Sequence, residues 1–359
     1  MNAKINPVFV GLRLIPIVFL MFWLSLPAFA AAQEPASSTP PTIEKFRITA
    51  EDARGSHPSI SGNYVVWADQ VSTVSAMYGT NKYDIYTYNL DSKEKRKIIT
   101  EQGQVVQPMV AGDLLIWQRD EQFFGYRLGK EGVEEFPIAG FHAFLSTYVV
   151  DSGIIKHVHY NAALSTRTLV WADLIKKSIV EIMAFDLKLD TLIRITNDTV
   201  SQSWPASGGN LIVWTDRRYS NDDIYAYDMD KHREFPIVVA LSEQKMPSTD
   251  GKHVVWVDTR NGNDDIYGYN IETQTEFPIV TGSCTRLCPA VSGRYAIWRE
   301  DDGANAHIYG YDLQTKTRFP IAAGARNEVC PCIWNNTVIW TQWGGKDYPY
   351  TIIYAATIK

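Results

Sequence analysis

Cysteine is scarce in this chain: four among 359 residues, the first of them Cys284. The apolar run near the start therefore has no cysteine behind it, and a lipid anchor on that residue is not indicated. No segment after Leu26 is apolar enough to span a membrane, which takes roughly 20 consecutive apolar residues. Basic charge is also in short supply. Lys and Arg number 34 against 40 Asp and Glu, a formal net charge of −6. An acidic chain repels phosphate backbones, so nucleic acid is not an expected partner. No block of like charge forms an interaction tail. There is no nucleophile elbow, phosphate loop or zincin motif, and no Ser-His-Asp set can be assigned from spacing. Catalysis by single residues drawn from several repeats stays open.

What is present begins with an export signal. Lys4 and Arg13 flank the apolar run Leu14 to Leu26, and small residues follow at Ala28, Ala30, Ala31 and Ala32. That order reads as a secretory signal cleaved after Ala30 or Ala32. Residues 1–32 are the expected signal, 33–42 (QEPASSTPPT) a flexible leader, and 43–359 one domain. The mature protein is expected in the periplasm, the medium or at the cell surface, without a membrane span.

Aromatic residues are plentiful, with 11 Trp and 19 Tyr, and favour strands. They mark an internal repeat. Its clearest copy runs from Met246 to Ile279, MPSTDGKHVVWVDTRNGNDDIYGYNIETQTEFPI, with neighbours at Trp204 to Ile237 and Cys288 to Ile321. A marker Trp recurs at Trp67, Trp117, Trp171, Trp214, Trp256, Trp298 and Trp340, the last four spaced by 42 residues. A period of about 40 to 45 residues with strand-like content is a propeller signature. Each unit parses into four short strands: 247–249, 253–258, 266–271 and 275–279 in the clearest copy. Asn261-Gly262 is a tight-turn signal between the second and third. A lone blade leaves both faces wet, so blades must stack around an axis.

The ends of the chain predict how the ring shuts. The fourth-strand Ile precedes the next Pro by ten positions at Ile98/Pro108, Ile195/Pro205, Ile237/Pro247 and Ile279/Pro289, and also at Ile48/Pro58. Phe46-Arg47-Ile48 is thus a fourth strand without a blade of its own. The last unit stops after its third strand, Thr351 to Ile358. The expected fold is all-β: a seven-bladed β-propeller closed by its N-terminal strand in the C-terminal blade. The third unit lacks the Pro and the Asn-Gly turn, and residues 140–160 add a segment, so six or eight blades are alternatives.

The stretch PSTDGKHVVWVDTRNGNDDIYGYNI resembles the TolB-type, WD-like β-propeller repeat of exported proteins. The resemblance covers nearly all of Phe46 to Lys359. The segment before Phe46 is too short for the α/β domain of TolB itself, so what is implied is the repeat and not that protein. The family hosts binding proteins and enzymes alike, metal-assisted pectate-fragment lyases among them, so the resemblance implies architecture more than activity.

Topology sorts the two ends of a propeller. Connections from a fourth to the next first strand, and hairpins between second and third strands, share one face, here called the top. The insertions at 70–83, 140–160 and 343–350 all map there, as expected of a binding face. The residue before each first-strand Pro should ring the channel mouth: His57, Gln107, Asn161, Trp204, Met246, Cys288 and Cys330. Two residues after each marker Trp stand Asp69, Arg119, Asp173, Asp216, Asp258, Glu300 and Gln342. This acidic ring reads as a cation site, or as carboxylates holding backbone amides in each hairpin. Recurrence in nearly every repeat favours the second.

Trp204, Trp343, Tyr348 and Tyr350 depart from the repeat and suit stacking on a sugar or docking a partner. Asn221-Asp222-Asp223 and Asn263-Asp264-Asp265 invite calcium without the EF-hand order. His157 and His159 share one face of an extended segment, with His142 near in sequence. With a carboxylate they could hold zinc or another transition metal; surface histidines in a long loop are the plainer reading. In an exported protein Cys284, Cys288, Cys330 and Cys332 are expected in disulfides, with three pairings open. The expectation is an exported, monomeric, non-catalytic binding or scaffold module for an envelope or cell-surface protein or glycan. His57, Trp204, Asp216, Asp258, Trp343 and Tyr348 are its ligand-binding candidates. The alternative is a polysaccharide-active, lyase-like enzyme in the top funnel. No cofactor is assured, and calcium or a transition metal is compatible.

Overall fold

The marker tryptophans dictate the architecture. All seven are at most 2% exposed. Six stack on the aromatic residue opposite or near them on the third strand, for example Trp67 on Tyr86, Trp256 on Tyr267 and Trp340 on Tyr354. Trp171, which faces Met183, instead takes an edge contact from Phe123 of the preceding blade. Second strands such as His253–Asp258 bury both faces, which is why they read Val-Val-Trp-Val rather than alternating. Val254 and Trp256 pack with blade 4, Val255 and Val257 with blade 6.

The structure, a computed structural model, describes residues 40–51, 53–72, 82–102, 105–119, 122–129, 134–138, 162–176, 179–343 and 351–359. Among these the chain forms seven four-stranded antiparallel sheets and no helix. Blade 1 is Gly55–Ser61, Tyr64–Ser72, Lys82–Asn89 and Lys95–Gln102. Blade 2 is Val105–Ala111, Leu114–Arg119, Gln122–Arg127 and the short Phe136–Pro137. Blade 3 is Ala162–Leu164, Thr168–Lys176, Ile179–Asp186 and Thr191–Arg194. Blade 4 is Gln202–Gly208, Leu211–Asp216, Asp223–Asp228 and Arg233–Val238. Blade 5 is Gln244–Thr249, His253–Asp258, Asp265–Asn270 and Thr275–Val280. Blade 6 is Thr285–Ser292, Tyr295–Asp301, Ala306–Asp312 and Thr317–Ala322. Blade 7 takes three strands from the C-terminus, Glu328–Trp334, Thr337–Trp343 and Thr351–Ile358, and its outer strand, Ile43–Arg47, from the N-terminus. Seven blades and the shared closing blade are as expected.

One boundary differs. The innermost strands begin about three residues before the Pro that had marked their start. Pro lacks a ladder donor, so it reads as a strand end. In blades 1, 2 and 4 to 7 the register instead slips at the X-Pro pair, for instance between Lys245 and Ser248, and the proline sits in a β-bulge within the strand. The segment 140–160 lies outside the described residues.

Candidate functional site

The innermost strand of each blade has one edge on the ring axis and two faces against neighbouring blades. A side chain exposed on it is therefore exposed to the channel. The bulges decide which side chains these are. The residue before the proline takes a left-handed backbone at His57 (φ 52°), Trp204 (51°), Met246 (55°), Cys288 (52°) and Cys330 (52°). A non-glycine residue in that region costs on the order of 1–3 kcal/mol and persists only where its surroundings over-determine it. Here the bulge throws it out of the ladder. His57, Trp204, Cys288 and Cys330 are exposed and Met246 half-buried, at corresponding points around the mouth. Below them the channel holds a cavity of about 520 Å³, lined by small side chains such as Ser59, Ala163, Ser207, Ser248 and Ala290.

Channel water reaches His57, but the walls crowd it. Desolvation lowers its pKa below the ordinary 6.5. The thiols respond in the opposite sense. Confinement pushes Cys288 up to about 11, and the neighbouring Cys330 adds to the effect. Cys332, on the same strand as Cys330, is pushed up to about 12 and donates to the Pro58 carbonyl of blade 1 at 3.3 Å. All four cysteines are free thiols, so the expected disulfides are not formed in this structure. Cys330 and Cys332 flank one bulge in a single strand, and Cys284 stands in the linker before blade 6.

Asp216 and Asp258 do not reach the mouth. Both are fully buried inside their blades. Asp216 accepts from Trp214 Nε1 at 2.9 Å, from Arg218 Nε and Nη2 at 2.9 and 2.7 Å, and from the Arg218 amide at 3.0 Å. Arg218 also reaches Glu234 at 2.6 Å and lies over the Tyr225 ring. Asp258, Trp256, Arg260, Glu276 and Tyr267 repeat the arrangement. Burial raises the Asp216 pKa, but the Arg218 and Trp214 hydrogen bonds outweigh it and hold the carboxyl below its ordinary value. In blade 6 the acid is Glu300, held by Arg318 and Arg286. In blade 7 it moves to the first strand as Glu328, bonded by Trp340 and Gln342. In blades 4 to 7 the acids of the ring are thus held in clamps inside the blades. Their arginines were missed, although Asp-x-Arg recurs at 216–218 and 258–260.

Trp343 is 55% exposed at the top of blade 7. Tyr348, Tyr350, His142, His157 and His159 lie outside the described residues, as does Asn161. Among the described residues no three His, Cys, Asp or Glu side chains group to hold a metal ion. The structure adds a feature of blade 4. Tyr219 in its top hairpin is 61% exposed, and Val239 and Leu241 in its linker to blade 5 are 47% and 105% exposed. With Trp204, 37% exposed, they put four exposed large apolar side chains at the top of this blade. The signal was there: Leu241 stands where the next two linkers carry Ser283 and Ala325.

No family model matches the sequence, and no curated protein matches it. Solved structures are similar in fold. The β-propeller domain of the Trilobed protease from Pyrococcus furiosus matches with a TM-score of 0.60 at 13% identity, covering 82% of this chain and 97% of that one. That domain has an open velcro topology, whereas Ile43–Arg47 closes the ring here. An oligogalacturonate lyase from Vibrio parahaemolyticus matches at 0.62 with 14% identity, over 89% of this chain and 98% of that one. An oligogalacturonate lyase in complex with manganese matches at 0.61 with 14% identity, over 89% and 97%. At such identities the likeness shows fold alone, and the chain is a seven-bladed β-propeller whose architecture serves enzymes of unrelated chemistry.

Proposed function

We propose that this protein is an exported binding module that docks a protein partner of the envelope or cell surface on its top face. The observation that carries the reading is the exposure of Tyr219, Val239 and Leu241 at the top of blade 4, the blade whose Trp204 stands at the channel mouth. Exposed aliphatic side chains gain little from sugar and much from an apolar protein surface. Aromatic residues at the edge of a cavity supply rigid contact area. The N-terminal signal pattern supports export. A photo-crosslinker placed at Leu241 should capture one protein from the native envelope, and Trp204→Ala should weaken that capture. The same group at Leu189, 63% exposed in a turn on the opposite face, should capture nothing. Equal capture from both faces overturns the reading, and glycan binding lost on Trp204→Ala replaces the protein partner with a polysaccharide.

A second reading is favoured by the shared fold of the manganese-bound lyase: a polysaccharide-active, metal-assisted enzyme in the same funnel. It would draw on His57 with His142, His157 and His159. Manganese-dependent cleavage of an oligogalacturonate, lost on His57→Ala with melting unchanged, would select it.

A further inference from the structure

Two successive seams of the ring are built from the same parts, 42 residues apart. Between blades 5 and 6, Arg286 is 2% exposed and its guanidinium sits among oxygens. Nη1 lies 3.2 Å from Asp265 Oδ1, 3.2 Å from the Gly282 carbonyl and 3.3 Å from the Cys284 carbonyl. Nε donates to Glu300 at 2.8 Å. Asn261 serves Asp265 Oδ2 at 2.8 Å. The buried carboxylate faces a full positive charge, as burial of charge requires.

Between blades 4 and 5 the corresponding oxygens are Asp223 Oδ1 and the carbonyls of Ala240 and Ser242. Arg286 is replaced there by Gln244, which brings no charge. Asp223 and Gln244 are both 0% exposed. The Asn221 amide nitrogen has two hydrogens and serves three acceptors: Ala240 O at 2.8 Å, Ser242 O at 3.0 Å and Asp223 Oδ1 at 3.3 Å. Among the described residues Asp223 Oδ2 and Gln244 Oε1 have no hydrogen-bond partner. The Gln244 backbone and amide are tied to Asp222 O and Ser242 Oγ, each at 2.7 Å, which keeps its side chain beside this linker. Nearby Asp216 is answered by Arg218 and Asp222 by Arg217. Among the described residues Asp223 is answered only by amides, those of Asn221 and Ala240. Burial drives its carboxyl above the ordinary range, and Asp216 and Asp222 push the same way.

We infer that this seam binds one hard metal cation of calcium's kind, held by Asp223, Asn221, Gln244 and the carbonyls of Ala240 and Ser242. An amide that turns end for end presents Oδ1 in place of Nδ2. The side chains and the two carbonyls then supply oxygen ligands in about the number calcium takes, roughly six to eight. The cation does for blades 4 and 5 what Arg286 does for blades 5 and 6.

The test is thermal melting of the purified full-length protein, dialysed against a calcium chelator and then titrated with calcium alone. Millimolar calcium should raise Tm by about 5 °C, the shift expected when binding to the folded state is well saturated. Gln244→Arg, which installs the neighbouring seam's guanidinium, should keep the fold and abolish the shift; Asp223→Asn should abolish it too. Should either variant fail to fold, terbium luminescence on the unaltered protein should report one bound ion displaced by calcium. No calcium-dependent shift and no bound terbium would overturn the site, as would a full shift in Gln244→Arg. A Tm that rises only on acidification would show that Asp223 is neutralised by a proton instead.

Discussion

Ile43 pairs with Ile358, so the first strand of the domain and the last close one blade together. The seam is fastened on both sides: Thr42 and Lys359 exchange backbone hydrogen bonds at 2.9 and 3.1 Å, and Thr49 Oγ1 accepts from the Ile353 amide at 2.9 Å. Deleting 43–49 removes an outer strand together with buried Ile48 and Thr49. It uncovers the edge of Thr351–Ile358, a template for intermolecular pairing. The expected loss is roughly 5 kcal/mol or more, with aggregation on heating. An unchanged melting temperature would contradict the closure.

The Asp–Arg clamps are structural. Replacing Asp216 or Asp258 with Ala leaves a buried indole N–H without an acceptor and a largely buried guanidinium with only Glu234 or Glu276 to answer it. Each should cost about 2–4 kcal/mol in urea denaturation, without changing partner capture below the transition. The folded-state pKa of Asp216 lies below its ordinary 3.8. Its contribution is therefore complete above that value and is lost as the pH falls through the depressed pKa. Between pH 5 and 8 the penalty of Asp216→Ala should be flat; a steep dependence there would implicate another group.

Gly268 sits beneath Phe277, and a Cβ there would meet the ring at 2.7 Å. Gly310 stands under Phe319 in the same way, yet blade 4 carries Ala226 opposite Phe235. The ring can evidently give way, so Gly268→Ala should cost only about 1 kcal/mol. A loss several times larger would show that Phe277 is pinned more tightly than its counterpart.

Cys288 should react slowly with iodoacetamide at neutral pH, because the thiolate is the nucleophile and its pKa is about 11. Alkylation followed by peptide mass spectrometry should accelerate about tenfold per pH unit until that value is approached. A plateau near neutrality would mean that the channel lowers the thiol pKa.

Strand order and the closing strand were legible in the residues, because each repeat must present the same apolar faces to its neighbours; the count of seven rested on the marker Trp, and the irregular third unit left six or eight open until the sheets were seen. The 42-residue period of the last four copies defines the blade, and the ten-residue spacing from Ile48 to Pro58 places the first strand in the last blade. What the linear pattern could not show is where each polar group ends up. Asp216 and Asp258 look like a ring of ligands by position. Only folding brings Arg218 and Arg260 over their tyrosines and closes those carboxylates to solvent. Bulges, too, depend on a partner strand against which the register slips, so the left-handed turn that exposes His57 and Trp204 at the mouth is not visible in the X-Pro pair alone. The seam between Asp223 and Gln244 joins residues from different blades, and its missing charge shows only against the folded position of Arg286.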